Sequence, residues 1–104
     1  ETLISVFNNI IHNSILHGKA DEIQISMLKK GKMCEVTIAD NGIGIPSEIR
    51  NKIFDESYKY GKTGNTGLGL FIVKKAIESY GGKVRAEVNK PRGIKIILTL
   101  QRSA

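Results

Sequence analysis

The sequence predicts an α+β fold, a two-layer α/β sandwich whose mixed, mostly antiparallel sheet is covered on one face by about three helices. Three observations carry this. Apolar residues recur every three or four positions at the start of the chain and again from Gly67 onward. Four other runs alternate apolar and polar residues at period two. Glycine, proline and asparagine punctuate the intervals between them. With 104 residues, 40% of them apolar and 25% charged, the chain has the size and make-up of one globular domain over 1–104.

The elements follow in order. Leu3, Val6, Phe7, Ile10, Ser14 and His17 form one stripe of an amphipathic helix that Gly18 ends. In "EIQISML", Ile23, Ile25 and Met27 alternate with Glu22, Gln24 and Ser26, which predicts a half-buried strand. After the turn "KKGK", "MCEVTIA" turns Cys34, Val36 and Ile38 inward, so the two runs read as a hairpin. "DNGIGIP" breaks the alternation, and a short helix over about 47–54 follows, with Ile49 and Ile53 four apart. Residues 55–66, "DESYKYGKTGNT", are polar and without periodicity, the pattern of a mobile loop. From Gly67 the helical period returns through Ile72, Val73, Ala76, Ile77 and Tyr80 and stops at Gly81-Gly82, as a glycine C-cap would stop it. "KVRAEVN" and "GIKIILTLQ" are two further strands joined by the turn "KPRG".

Several function classes are disfavoured early. The net charge is +6, but the sixteen Lys and Arg are scattered and six aromatic residues build no stacking platform, so solvated faces and anionic ligands account for it better than a nucleic-acid footprint. A single cysteine, Cys34, excludes an internal disulfide and a multi-cysteine metal site, which makes a reducing cytoplasm the default expectation. No apolar run approaches the roughly 18 residues that a membrane span requires. The opening "ETLISVF" lacks methionine and a signal pattern, and is expected to be cut from something longer.

Three stretches hold chemistry. Asn9 and Asn13 are four apart on the first helix, on a line roughly opposite the apolar stripe. An amide oxygen suits one coordination position on Mg²⁺ while phosphates and waters fill the rest; on spacing alone, two solvated polar residues are the simpler account. Asp40 ends a strand, where its carboxylate can accept a hydrogen bond from an exocyclic amine, and Gly42 and Gly44 leave room for a flat ring. An ordinary strand-end Asx turn explains the same residues equally well. In "GNTGLGLF", glycines at a helix N-terminus expose N–H groups in the positive field of the helix dipole, a seat for polyphosphate. The alternative is that Gly67 and Gly69 merely let the helix lie close to the sheet. Neither "DNGIGIP" nor "GKT" at 61–63 completes a dinucleotide fingerprint or a P-loop, since Ser47 and Glu56 stand where glycines are needed.

The order N-x-x-x-N, D-x-G-x-G-I-P, I-F, polar loop, T-G-L-G-L resembles the catalytic domain of sensor histidine kinases. That domain belongs to the ATPase superfamily shared with DNA gyrase, a heat-shock chaperone and the MutL mismatch-repair proteins. The resemblance covers nearly the whole chain and implies the Bergerat-type ATP-binding fold, with ATP and Mg²⁺ as cofactors. It makes Asn13 the Mg²⁺ ligand of the N box with Asn9 its companion, Asp40 the residue that binds the adenine amino group, and Gly42, Gly44 and Ile45 its surroundings. Phe54 is similar to the F-box aromatic; residues 55–66, with Tyr58, Lys59 and Lys62, correspond to the ATP lid; Thr66, Gly67, Leu68 and Gly69 correspond to the phosphate-contacting turn.

Some positions depart from the family. Leu16 stands where members usually carry Lys or Arg, which leaves a lid lysine, Lys59 or Lys62, as the substitute phosphate clamp. His17 takes the next, usually aromatic position, as a packing or ribose- and phosphate-contact residue. Ile94 and Ile96 replace the usual Thr and Phe of the last strand, and the segment before the first helix is missing. Hydrolases and anti-sigma-factor kinases of the superfamily place a general-base glutamate at the position of Asn9, which has no useful basicity. A neutral imidazole acceptor is already a nucleophile, so Asn9 argues for the histidine kinase branch. The resemblance therefore implies phosphorylation of a histidine on a separate dimerisation domain, with relay to a response-regulator aspartate. His12 and His17 both lie in the N-box helix, so the acceptor is not in this chain and no catalytic residue is assigned within it. The remaining expectations are a cytoplasmic location, no nucleic-acid or membrane contact by this domain, and a monomer in isolation within a dimeric parent.

Overall fold

Period-three-and-four spacing brings Val6, Ile10 and Ser14 onto one line, and all three are buried along helix α1, Leu3–Leu16. The computed structural model describes residues 3–16, 18–50, 52–55 and 66–101, with 66–69 described by their backbone. After α1 come strands β1 (Ile23–Lys30) and β2 (Met33–Asp40), helices α2 (Ser47–Arg50) and α3 (Thr66–Ser79), and strands β3 (Lys83–Val88) and β4 (Ile94–Gln101). The sheet order is β1-β2-β4-β3, and every described pairing is antiparallel. Among the described residues no helix is long and apolar enough to cross a membrane.

The core lies between the sheet's inner face and the helices. Val36 pairs with Leu98 and Ile38 with Ile96 across β2 and β4, and all four are buried. Val6 and Ile10 of α1, Leu70, Val73, Ala76 and Ile77 of α3, Ile94 of β4, and Ile53 and Phe54 complete the cluster. Each such side chain except Ala76 contributes roughly 1.5–3 kcal/mol by leaving water. On the outer face Lys30, Glu35, Arg85 and Glu87 form a line of ion pairs, with Lys30 Nζ and Arg85 Nη2 each 3.6 Å from Glu35 and Arg85 Nε 2.9 Å from Glu87. The hydrogen bond from Arg85 holds the Glu87 carboxyl below its usual range, and Glu87 in turn raises Arg85.

Helix α3 ends in a paired-bond glycine cap, with Gly82 N–H donating to the Ile77 carbonyl (2.9 Å) and Gly81 N–H to that of Glu78 (3.0 Å). The expected stop at Gly81-Gly82 is thus borne out. Four expectations need correction. Strand β1 is not half-buried: Ile25 and Met27 pair with the buried Ile38 and Val36, yet are 55% and 66% exposed. β1 is the sheet edge, and the helix layer does not reach it. The buried stripe of α1 is narrower than expected, with Leu3 39% exposed. Tyr80, read as part of the α3 stripe, is 45% exposed because the helix has ended at Ser79, and Leu70 is buried in that stripe instead. The short helix over 47–54 is α-helical only at Ser47–Arg50, after which 52–55 run on as turns that still bury Ile53 and Phe54.

Candidate nucleotide site

Asp40 is the last residue of β2, an interior strand, and is buried at 3% exposure. A buried carboxylate is tolerable only when hydrogen-bonded. Here Oδ1 accepts two backbone N–H groups, from Gly42 at 2.9 Å and from Ile94 at 3.1 Å. Both bonds fall on one oxygen, so Oδ2 keeps its acceptor capacity for a donor from outside the described chain. Ile94 opens β4, 54 positions away in sequence, so the side chain is oriented by the neighbouring strand as well as by its own turn.

The chain then leaves the sheet through Asn41, whose Oδ1 accepts the N–H groups of Asp21 and Glu22 at 3.1 Å each and whose Nδ2 donates to Asp21 Oδ1 at 2.7 Å. These bonds fasten the loop to the segment entering β1. Gly42 is buried against the end of α1: a Cβ there would collide with the Gly18 carbonyl, and Ile43 N–H donates to that same oxygen at 2.8 Å. Gly42 is therefore required by close approach of two backbones, in addition to any room it leaves for a ring. Gly44 follows, and Ile45 is half-buried against the core.

Asn9 and Asn13 sit on α1 one turn apart, and both are half-buried. They do not lie opposite the apolar stripe as expected. At about 100° per residue they stand on its flank, because the buried line is centred on Val6, Ile10 and Ser14. A flank beside the core is a better place for amides that meet a ligand than the solvent face. Leu16 is 53% exposed at the last turn of the same helix.

Phe54 is buried in the hydrophobic core cluster, which gives this aromatic a packing role whatever else it touches. Helix α3 begins at Thr66, so residues 66–69 are its first turn, whose N–H groups have no partner within the helix. His17, Tyr58, Lys59 and Lys62 lie outside the described residues.

The structure brings in residues that the sequence reading missed. Asn41 had no local signal: the Asx bond of this turn is made by Asp40, and the Asn41 amide bonds instead to Asp21 and Glu22, about 20 positions away. Asn89 and Arg92 of the β3–β4 turn also had none: Asn89 Nδ2 donates to the Asp40 carbonyl at 2.8 Å and Arg92 Nε to the Gly42 carbonyl at 3.1 Å, across 49 and 50 positions. A polar groove of about 390 Å³ opens beside this turn, lined by Asp40 and Asn41 themselves together with Gln24, Ala39, Asn89 and Arg92. Gln24 and Ala39 alternate with the inward residues of their strands, so the groove runs from the Asp40 end of β2 along the outer face, and neither Asn9 nor Asn13 lines it.

Among the described residues no group of three or more His, Cys, Asp and Glu gathers to hold a metal. The donor set fits a cation that takes one amide oxygen from the chain and the rest of its shell from phosphate and water.

Sensor protein kinase WalK of Staphylococcus aureus is 33% identical over 108 residues, covering 96% of this chain and 26% of that protein. For WalK of strain Newman the same identity covers 18% of the protein, so the chain spans about a fifth to a quarter of the curated relatives it matches. Among solved structures, the ATP binding domain of PrrB from Mycobacterium tuberculosis superposes with a TM-score of 0.78 at 28% identity, over 97% of this chain and 66% of that one. The nucleotide-free catalytic domain of histidine kinase ThkA gives 0.80 at 28%, over 98% and 68%. The family profile described as histidine kinase-, DNA gyrase B-, and HSP90-like ATPase matches residues 1–104. On these matches, and with a sheet and helix layer of the same architecture, the chain belongs to the histidine kinase-, DNA gyrase B- and HSP90-like ATPase family.

Proposed function

We propose that this chain is the ATP-binding catalytic domain of a sensor histidine kinase, which binds Mg-ATP and donates its γ-phosphoryl group to a histidine on a separate helical dimerisation domain. The observation that carries the reading is Asp40: a buried strand-end carboxylate tied through Oδ1 alone, in a chain that matches sensor kinases over 96% of its length. Oδ2 accepts the adenine amino group. Asn13, with Asn9 beside it, would hold Mg²⁺ through its amide oxygen, and the ion would supply neutralisation of phosphate charge. The N–H groups of the first turn of α3 meet the phosphates, and the helix dipole adds to their field.

The chain's part in the reaction is positioning and electrostatics, which carry most of phosphoryl transfer. Asn9 offers no general base, so water is not activated and ATP is held for an imidazole that needs no activation. The partners are the acceptor histidine, phosphorylated from ATP, and a response-regulator aspartate that takes the phosphoryl group from that histidine, and the compartment is the cytoplasm. Calorimetry with an ATP analogue and Mg²⁺ tests the site: Asn13→Ala and Asp40→Ala each weaken binding, and unchanged affinity in both removes the assignment. Phosphorylation of a supplied dimerisation domain tests the activity. A second reading, a nucleotide-sensing module without phosphotransfer, rests on the exposed Leu16, where the family resemblance leads one to expect a basic residue; wild type that binds ATP but never phosphorylates the supplied domain favours it.

A further inference from the structure

The β3–β4 turn, which the sequence offers only as a connection, is built against the Asp40 loop. Asn89 Nδ2 donates to the Asp40 carbonyl (2.8 Å), Ile94 N–H to Asp40 Oδ1 (3.1 Å) and Arg92 Nε to the Gly42 carbonyl (3.1 Å). The turn is closed on itself by Asn89 N–H donating to the Gly93 carbonyl at 3.0 Å. Gly93 has φ +103° and sits so close that a Cβ on it would collide with the Asp40 carbonyl. Two side chains and one backbone N–H from a single turn thus hold the two residues that set where Oδ2 lies and where the adjoining backbone stands.

We infer that Asn89 and Arg92 are positioning residues for base selection, holding Asp40 and Gly42 from the outer side of the sheet so that Oδ2 meets an amino-bearing base. The inference rests on the reading of Asp40 as the base acceptor. Adenine presents a 6-amino donor to that oxygen, whereas guanine presents a 6-oxo acceptor that a carboxylate repels. Sites that discriminate by one hydrogen bond depend on its geometry, because a misplaced acceptor loses the favoured base more than the disfavoured one. Neither Asn89 nor Arg92 needs to touch the nucleotide.

The test measures the affinity of the 104-residue chain for ATP and GTP with Mg²⁺, by displacement of a fluorescent nucleotide, in a set of variants. Arg92→Ala and Asn89→Ala each lower ATP affinity about 3- to 10-fold, the worth of one hydrogen bond, with little change for GTP, so the ATP-to-GTP preference contracts. Arg92→Gln keeps an N–H donor at the same bond distance from the backbone and keeps the preference, whereas Arg92→Lys keeps the charge, loses the donor at that position and contracts it. Arg92 lies on an exposed turn, so its three variants decide the question even if Asn89→Ala fails to fold. Equal losses of ATP and GTP in the Ala variants, or wild-type preference in all of them while Asp40→Asn abolishes it, overturn the inference and leave the base acceptor intact. Wild-type preference in Asp40→Asn overturns the base-acceptor reading itself, and the inference with it.

Discussion

On the proposed reading Asp40 has two jobs, anchoring its loop and accepting the adenine amine, that a single atom's difference separates. Replacing it by alanine removes the acceptor of the Gly42 and Ile94 N–H groups. Each buried donor left without a partner costs about 1–3 kcal/mol, so Asp40→Ala loses roughly 2–6 kcal/mol out of the 5–15 kcal/mol typical of a domain. Asparagine keeps Oδ1 in place as an acceptor of both bonds and forfeits only their charge assistance, a loss of about 1 kcal/mol or roughly 4–8 °C in melting temperature. Its Nδ2, however, replaces Oδ2 and turns a donor toward the adenine amine. An acceptor lost and a donor set against a donor is worth about 2–4 kcal/mol, or about 30- to 1000-fold in affinity. Thermal melting and calorimetry on the same preparations read the two effects: Asp40→Asn is nearly as stable as wild type and nearly blind to ATP. An asparagine variant that melts like wild type and binds ATP with wild-type affinity refutes the assignment of Oδ2.

Three further outcomes follow from named contacts. Gly93→Ala places a Cβ against the Asp40 carbonyl at a backbone conformation that only glycine adopts easily; it lowers stability by about 1–3 kcal/mol and ATP affinity with it, read by urea unfolding and nucleotide titration. Ile38→Ala and Ile25→Ala remove the same atoms from paired positions on adjacent strands; the first, fully buried, costs about 2–5 kcal/mol, and the second, 55% exposed, less than about 1 kcal/mol. Glu87 has its carboxyl held below the usual range by Arg85, so its contribution is present above the ordinary glutamate pKa of about 4.3 and is lost as pH falls through the depressed value. Glu87→Gln therefore melts slightly below wild type at pH 7, and the gap closes in acid and in high salt.

Much of the fold was legible because the periodicities that define it are local. The stripe Val6–Ile10–Ser14, the alternation Cys34–Val36–Ile38 and the glycine stop after Ser79 each depend on residues within a few positions of one another. Ile25 and Met27 misled because alternation reports which face a residue takes, not whether anything covers that face. Coverage depends on strand order, and β1 proves to be the edge. The site divides the same way. Asn9, Asn13, Asp40 and the glycines that follow stand in a readable order because their spacing is itself the signal.

What sequence alone determined here is the fold class, the family motif and the chemical types present in the candidate nucleotide site, all properties of short-range pattern. Only the tertiary structure decided that Asp40 is held through one oxygen and that Gly42 is needed by its approach to Gly18. It alone placed Asn89 and Arg92 behind the Asp40 loop. These contacts join residues up to 54 positions apart, and hydrogen bonds at that separation follow from how β2 and β4 pair and where their turns meet, which no local pattern encodes.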